Sequence, residues 1–189
     1  MQTDLSWLSY GFPFATPPTR AAENVRNAIM SKLPGKSAAK IICDIYFRHA
    51  AWMYVSLSLP TPPLFYLSEN SFRYTPISEE DLHETILRHI YDPEPNFEPQ
   101  SSQNIAVFCM VLAIGILLDL DKPAHSAEAM SYYHLARAAL SIDSILDVQT
   151  IAGIQALVNG SHPSSIYTGL SSHTLKTATH VPLHVFIGD

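Results

Sequence analysis

From Ile105 to Leu118 the chain reads IAVFCMVLAIGILL, without a charge or a hydroxyl or amide side chain. A membrane-spanning helix needs ~20 apolar residues in a row, and Asp119 and Asp121 end this run well short of that. The pattern predicts a helix buried on all sides inside an all-helical domain. Gly115 fits it, because a residue without Cβ lets a neighbouring helix come close.

Helical periodicity predicts the elements around this core. Ser37 opens SAAKIICDIYFRHAAWMY, with Ala38, Ile42, Ile45, His49 and Trp52 on one face and Lys40, Asp44 and Arg48 on the other. The prolines between Leu59 and Phe65 stop it. Ser78-Glu79-Glu80-Asp81 begins the next helix in capping-box fashion. Leu82, Ile86 and Ile90 point inward there, Glu84 and Arg88 pair outside, and Asp92-Pro93, Pro95 and Pro99 end it. After the buried helix, which starts near Ser101, DLDKP makes a turn. In AHSAEAMSYYHLARAALSID, Ala129, Tyr133, Ala136 and Leu140 form an inner stripe widened by Tyr132, Leu135 and Ala139. Glu128, Ser131, His134, Arg137 and Ser141 face outward. A last helix spans Thr150 to Val158, and Asn159-Gly160 and His162-Pro163 break it.

The expected fold is all-α, an irregular bundle of about five helices forming an incomplete part of a larger helical domain. Residues 1–36 read as a Pro-rich linker, with Ala21 to Met30 able to form a few turns; residues 37–158 are the helical domain; residues 159–189 are a divergent, poorly anchored tail. In an incomplete domain Tyr132, Leu135 and Ala139 would lack a partner, and so would Ile151, Ile154, Leu157 and Val158.

Charge narrows the partners. The net charge is −6 and no Lys/Arg cluster occurs, so direct duplex binding lacks its electrostatic footprint. Only 15% of residues are charged, which points to surface that packs against something else. Cys43 and Cys109 lie in apolar helical patterns, as buried free thiols of a reducing compartment do. The N-terminal MQTDLSWLSYGF has no basic-then-apolar leader pattern, so a nuclear or cytosolic location is expected.

Motifs that suggest chemistry fail on spacing. PGKS at Pro34 to Ser37 has Met30 where a phosphate loop needs its first glycine. Ser37 and Lys40 match a serine–lysine nucleophile, but the companion motifs are missing and Ser37 is better placed as a helix cap. His83 and His89 fall on different helix faces, and Pro182 separates His180 from His184. Asp119 and Asp121 suit a turn better than an acid–base pair. Asn159-Gly160-Ser161 matches a glycosylation acceptor that, without a leader, would not meet the enzyme. No catalytic, cofactor-binding or metal-ligating residue is assigned, and no enzymatic activity is expected. Against that expectation, a helical-pocket enzyme would have to work through residues such as His134 or Asp119.

Three segments in order carry a family resemblance: DIYFRHAAWMY (Asp44 to Tyr54), FCMVLAIGILLDLD (Phe108 to Asp121) and AEAMSYYHLARAALSIDSILDVQTIAGIQAL (Ala127 to Leu157). Together they resemble the fungal-specific transcription factor domain, the helical middle homology region of fungal zinc-cluster activators. The telling pieces are Tyr46-Phe47 with His49, Ala-Ile-Gly around Gly115, Tyr132-Tyr133 with Ala136-Arg137, and Ile154 to Leu157. The resemblance covers about Ser37 to Val158. It implies a nuclear regulatory domain that modulates transcription through homodimerisation, protein partners or a small-molecule effector, and has no fixed catalytic residues. The family's zinc belongs to a separate six-cysteine DNA-binding module that this chain does not contain, so no cofactor is expected here and DNA contact is indirect. The family's Gln-Ala-Leu helix continues as an apolar run, whereas here VNGSHPSS follows, as in a truncated, mis-joined or divergent product. Ala129 to Leu140 also resembles the second helix of a tetratricopeptide repeat, the mark of a general interaction module, but the ~34-residue period falls on Pro99 and Tyr167 in breaker-rich stretches.

Overall fold

In the computed structural model the described residues are 5–50, 75–93, 100–123, 126–143, 145 and 148–167, with backbone alone over 162–167. Seven helices are described: α1 (Leu5–Gly11), α2 (Thr19–Met30), α3 (Lys36–His49), α4, α5 (Ser102–Leu117), α6 (Ala127–Leu140) and α7 (Ile151–Tyr167). Helix α4 is π-helical over Asp81–Leu87 and α-helical over Arg88–Tyr91. The all-α expectation holds, with two more helices than expected. No helix among these residues is long and apolar enough to cross a membrane.

Helix α5 starts where the Ser101 hydroxyl accepts the Asn104 backbone N–H at 3.1 Å, a side-chain cap on an otherwise unpaired donor. From Ile105 to Ile116 no side chain is more than 2% exposed. Helices α3, α4, α6 and α7 pack around it, so the continuous apolar run is the hub, as its pattern predicts. At Gly115 the approach is closest: an added Cβ would stand 2.4 Å from the Ile42 carbonyl oxygen of α3. The turn after α5 is tied by the Asp119 carboxylate, which accepts the Asp121 backbone N–H at 3.1 Å.

Other elements differ from expectation in phase or extent. Helix α3 begins at Lys36 with Gly35 as its cap residue and no side-chain cap, so Ser37 is exposed and does not cap. Its buried stripe is Ala39, Ile42, Cys43, Tyr46, Phe47 and Ala50, while Ala38 is exposed and Ile45 and His49 are half-buried. Trp52 lies outside the described residues. Apolar side chains flank the Lys40–Asp44–Arg48 face on both sides, so periodicity admits more than one phase, and Ile41 is left 61% exposed. The neighbours choose: Ile42 meets Gly115, and the Tyr46 hydroxyl donates to Asn159 Oδ1 of α7 at 2.8 Å. Helix α4 keeps its expected cap and stripe, with Ser78 Oγ accepting the Asp81 N–H at 3.0 Å and Leu82, Ile86, Leu87 and Ile90 buried.

The linker reading of residues 1–36 gives way to helices α1 and α2, both packed on α6. Leu5 and Leu8 at i, i+3 and Val25 and Ile29 at i, i+4 supply short apolar stripes that are fully or nearly fully covered. Docking of α1 also buries Ser141, expected to face outward, whose Oγ donates to the Arg137 carbonyl at 3.0 Å with the Leu8 carbonyl 3.2 Å away. The expected break at Val158 is absent: α7 continues to Tyr167 through Pro163. Asn159 is buried and its Nδ2 donates to the Gln155 carbonyl at 2.9 Å, which keeps the helix turning and hides the glycosylation-like asparagine. His180 and His184 lie outside the described residues.

Candidate functional site

The outward face of α6 becomes a site because α1 and the chain after it fold over it. His134 and Arg137 sit half-buried there. Ser9 Oγ lies 2.8 Å from His134 Nδ1, and the rings of Tyr10 and Tyr133 flank the imidazole at 5.2 and 5.8 Å between centroids. A serine beside a histidine invites a nucleophilic reading. Ser9, however, is 0% exposed, so no acyl group can reach its oxygen. Asp119 is spent on its own turn. The pair tethers α1 to α6.

Burial first, and the Arg137 charge second, lower the His134 imidazole below its ordinary value of 6.5. The unfolded chain therefore takes up this proton before the folded one does. The linked stability is intact above about pH 6.5 and is lost as pH falls from there through the folded-state midpoint. We expect the His134 ring to titrate below 6.5 by NMR. The drop in urea midpoint between about pH 7.5 and about pH 5.5 should be smaller in His134→Gln than in the parent; an equal drop would count against the shift.

Arg137 has no carboxylate partner among the described residues. Its Nη2 donates to the Phe12 carbonyl at 3.4 Å and its Nη1 to the Tyr133 hydroxyl at 3.5 Å, both long for such bonds. Its Nε is buried without a partner. The guanidinium carbon sits 5.7 Å from the ring centroids of both Phe12 and Tyr133, within cation–π range. Beside it opens a pocket of about 270 Å³ walled by Phe12, Met110, Tyr133, Leu140 and Leu157, with Gly160 against the Met110 methyl. The pocket therefore sets a cation with long hydrogen bonds at the edge of a mostly apolar lining.

A second cleft, of about 450 Å³, separates α3 from α4. Asp44, Glu79 and His83 place their ligand atoms within 4.8 Å of one another there. Glu79 and His83 are spaced i, i+4, but Asp44 comes from another helix, so the sequence comparison of His83 with His89 misses this group. Three donors of these types could hold a divalent cation. Lys36, Lys40 and Arg88 line the same cleft, and Lys36 pairs with Asp92. The thiols are not part of this group: both are buried, and burial pushes Cys43, which also feels Asp44, and Cys109 up to about 12.

The last feature is a surface. Ile151, Ile154, Leu157 and Val158 of α7 are 76%, 60%, 43% and 39% exposed. Tyr132, Leu135 and Ala139, which an incomplete domain would also leave bare, are instead buried by the packing of α6. Comparisons of the chain with protein-family models, with characterised proteins and with solved structures find no match.

Proposed function

We propose that this chain is a non-catalytic helical regulatory domain of a fungal transcription factor that modulates transcription in the nucleus, with DNA contact made by a zinc-cluster module outside this chain. The observation that carries the reading is where the resembling residues fall. Gly115 sits at the α3–α5 contact, Tyr46 bridges α3 to α7, and Ala136 is buried on α6. The segments that resemble the family thus build one common core, which supports a shared architecture over a chance match of unconnected pieces. The bare stripe on α7 supports the regulatory part, since a domain that modulates others must present a face to them.

A general helical interaction module is the alternative, and one experiment separates the two. The full chain is fused between a heterologous DNA-binding module and an activation segment in yeast, upstream of a reporter. Regulation should change output by at least about fivefold relative to an inert spacer, the low end of ordinary coupling free energies. Ile154→Glu, at an exposed position, should reduce that change without unfolding the chain. Output indistinguishable from the spacer, with the fusion present at equal abundance, would leave only the interaction-module reading.

A further inference from the structure

We propose that the pocket beside Arg137 binds a small organic carboxylate with an apolar body. The proposal stands on geometry that the transcriptional reading does not use. A guanidinium offers five N–H donors in a planar fork, and its hydrogen bonds here, to Phe12 and Tyr133, are both long. The Nε donor is buried without a partner and, like Ser9 Oγ, is closed to a ligand from solvent, so the two Nη groups carry the contact. Leaving a charged group under-bonded beside apolar surface is unfavourable unless something completes it. Met110, Leu140 and Leu157 offer that ligand hydrocarbon contact and no second cation. One fork and a mostly apolar wall, with Ser161 and the partly exposed Leu157 at its rim, suit a monovalent planar anion. A phosphate monoester would bring about two charges to a chain whose net charge is already −6. At about 270 Å³ the cavity is smaller than the usual drug-sized site, so the body of the ligand is short.

Phe12 and Tyr133 shape the carboxylate end, since their rings hold the guanidinium between them. Gly160 and Met110 set the depth of the other end. A Cβ at Gly160 would lie 2.8 Å from Met110 Cε and 3.4 Å from its Sδ, and the flexible thioether can move aside only at the expense of pocket space.

The test uses the full chain carrying ¹³C-methyl methionine, with octanoate and octanamide as probes of equal length and different charge. Octanoate should shift the Met110 methyl saturably, and octanamide should bind at least about tenfold more weakly. Arg137→Gln should bring octanoate down to the level of octanamide. Gly160→Ala should weaken both probes, because it narrows the pocket and leaves the charge in place. Equal affinities for the two probes on the unaltered chain would overturn the proposal, whether or not Arg137→Gln folds. So would an unmoved Met110 methyl, or a variant without Arg137 that keeps the preference for the acid. The readout is binding alone, so its failure leaves the reporter result standing, and an inert reporter leaves this site standing.

Discussion

Leu112→Asp should abolish the cooperative fold. Leu112 is 0% exposed at the middle of α5, with α3, α4, α6 and α7 packed around that helix. A carboxyl group there meets neither water nor a cation. Even if it stays protonated, its polar oxygens go unmet and the packing of the leucine is lost. The expected cost is several kcal/mol, against a total stability of ~5–15 kcal/mol for an ordinary domain. Circular dichroism during urea unfolding is the measurement. The control is Glu128→Gln on the solvent side of α6, whose partner Lys122 at 2.7 Å forms a partly exposed pair. Such a pair contributes ~0–1 kcal/mol. Similar midpoints for the two variants would mean that α5 is not the enclosed hub.

Gly115→Ala should destabilise the chain by ~1–3 kcal/mol or more, although alanine is the better helix former by ~1 kcal/mol. The sign is decided by what the methyl meets. Its Cβ would lie 2.4 Å from the Ile42 carbonyl oxygen and 2.7 Å from Ile42 Cγ2. A backbone oxygen inside α3 cannot step aside, so the whole helix must retreat from α5 and loosen the Tyr46–Asn159 bond that ties α3 to α7. Gly160→Ala meets only the end of Met110 and should stay close to the parent in stability. Chemical denaturation should therefore rank Gly115→Ala well below both Gly160→Ala and the parent. A Gly115→Ala chain as stable as the parent would refute the close crossing of α3 and α5.

The site at Arg137 was not legible along the chain, and the reason is geometric. The expected outward placement of His134, Arg137 and Ser141 holds least for Arg137, which at i+4 from Tyr133 flanks the inner stripe and touches that ring. Each of the three is nevertheless covered by residues near the N-terminus: Ser9 meets His134, Phe12 meets Arg137 and Leu8 meets Ser141. Those contacts join positions well over a hundred residues apart, and the signal for them is only the pairs Leu5–Leu8 and Val25–Ile29 in a stretch interrupted by Gly11, Pro13, Pro17 and Pro18. The Asp44–Glu79–His83 group was hidden in the same way, since only its i, i+4 half lies within one helix.

What one helix can bury alone was determined by the sequence itself. An uninterrupted apolar run has no polar face to leave in water, so Ile105 to Leu118 could only be a hub. Ser78 announced its helix start because a hydroxyl there meets an otherwise unpaired N–H three residues on; Ser101 and Ser126 cap in the same way, whereas Ser37, read as a cap, does not. Tertiary structure decided wherever two local solutions cost nearly the same. The buried phase of α3 was chosen by Gly115 and Asn159. The persistence of α7 past Val158 followed from burial of Asn159, whose bonds with Tyr46 and the Gln155 carbonyl favour continuing a helix that Gly160 and Pro163 locally oppose. Local propensities differ by ~1 kcal/mol or less for most residues, whereas a buried contact between helices is worth as much or more and exists only once the helices have met.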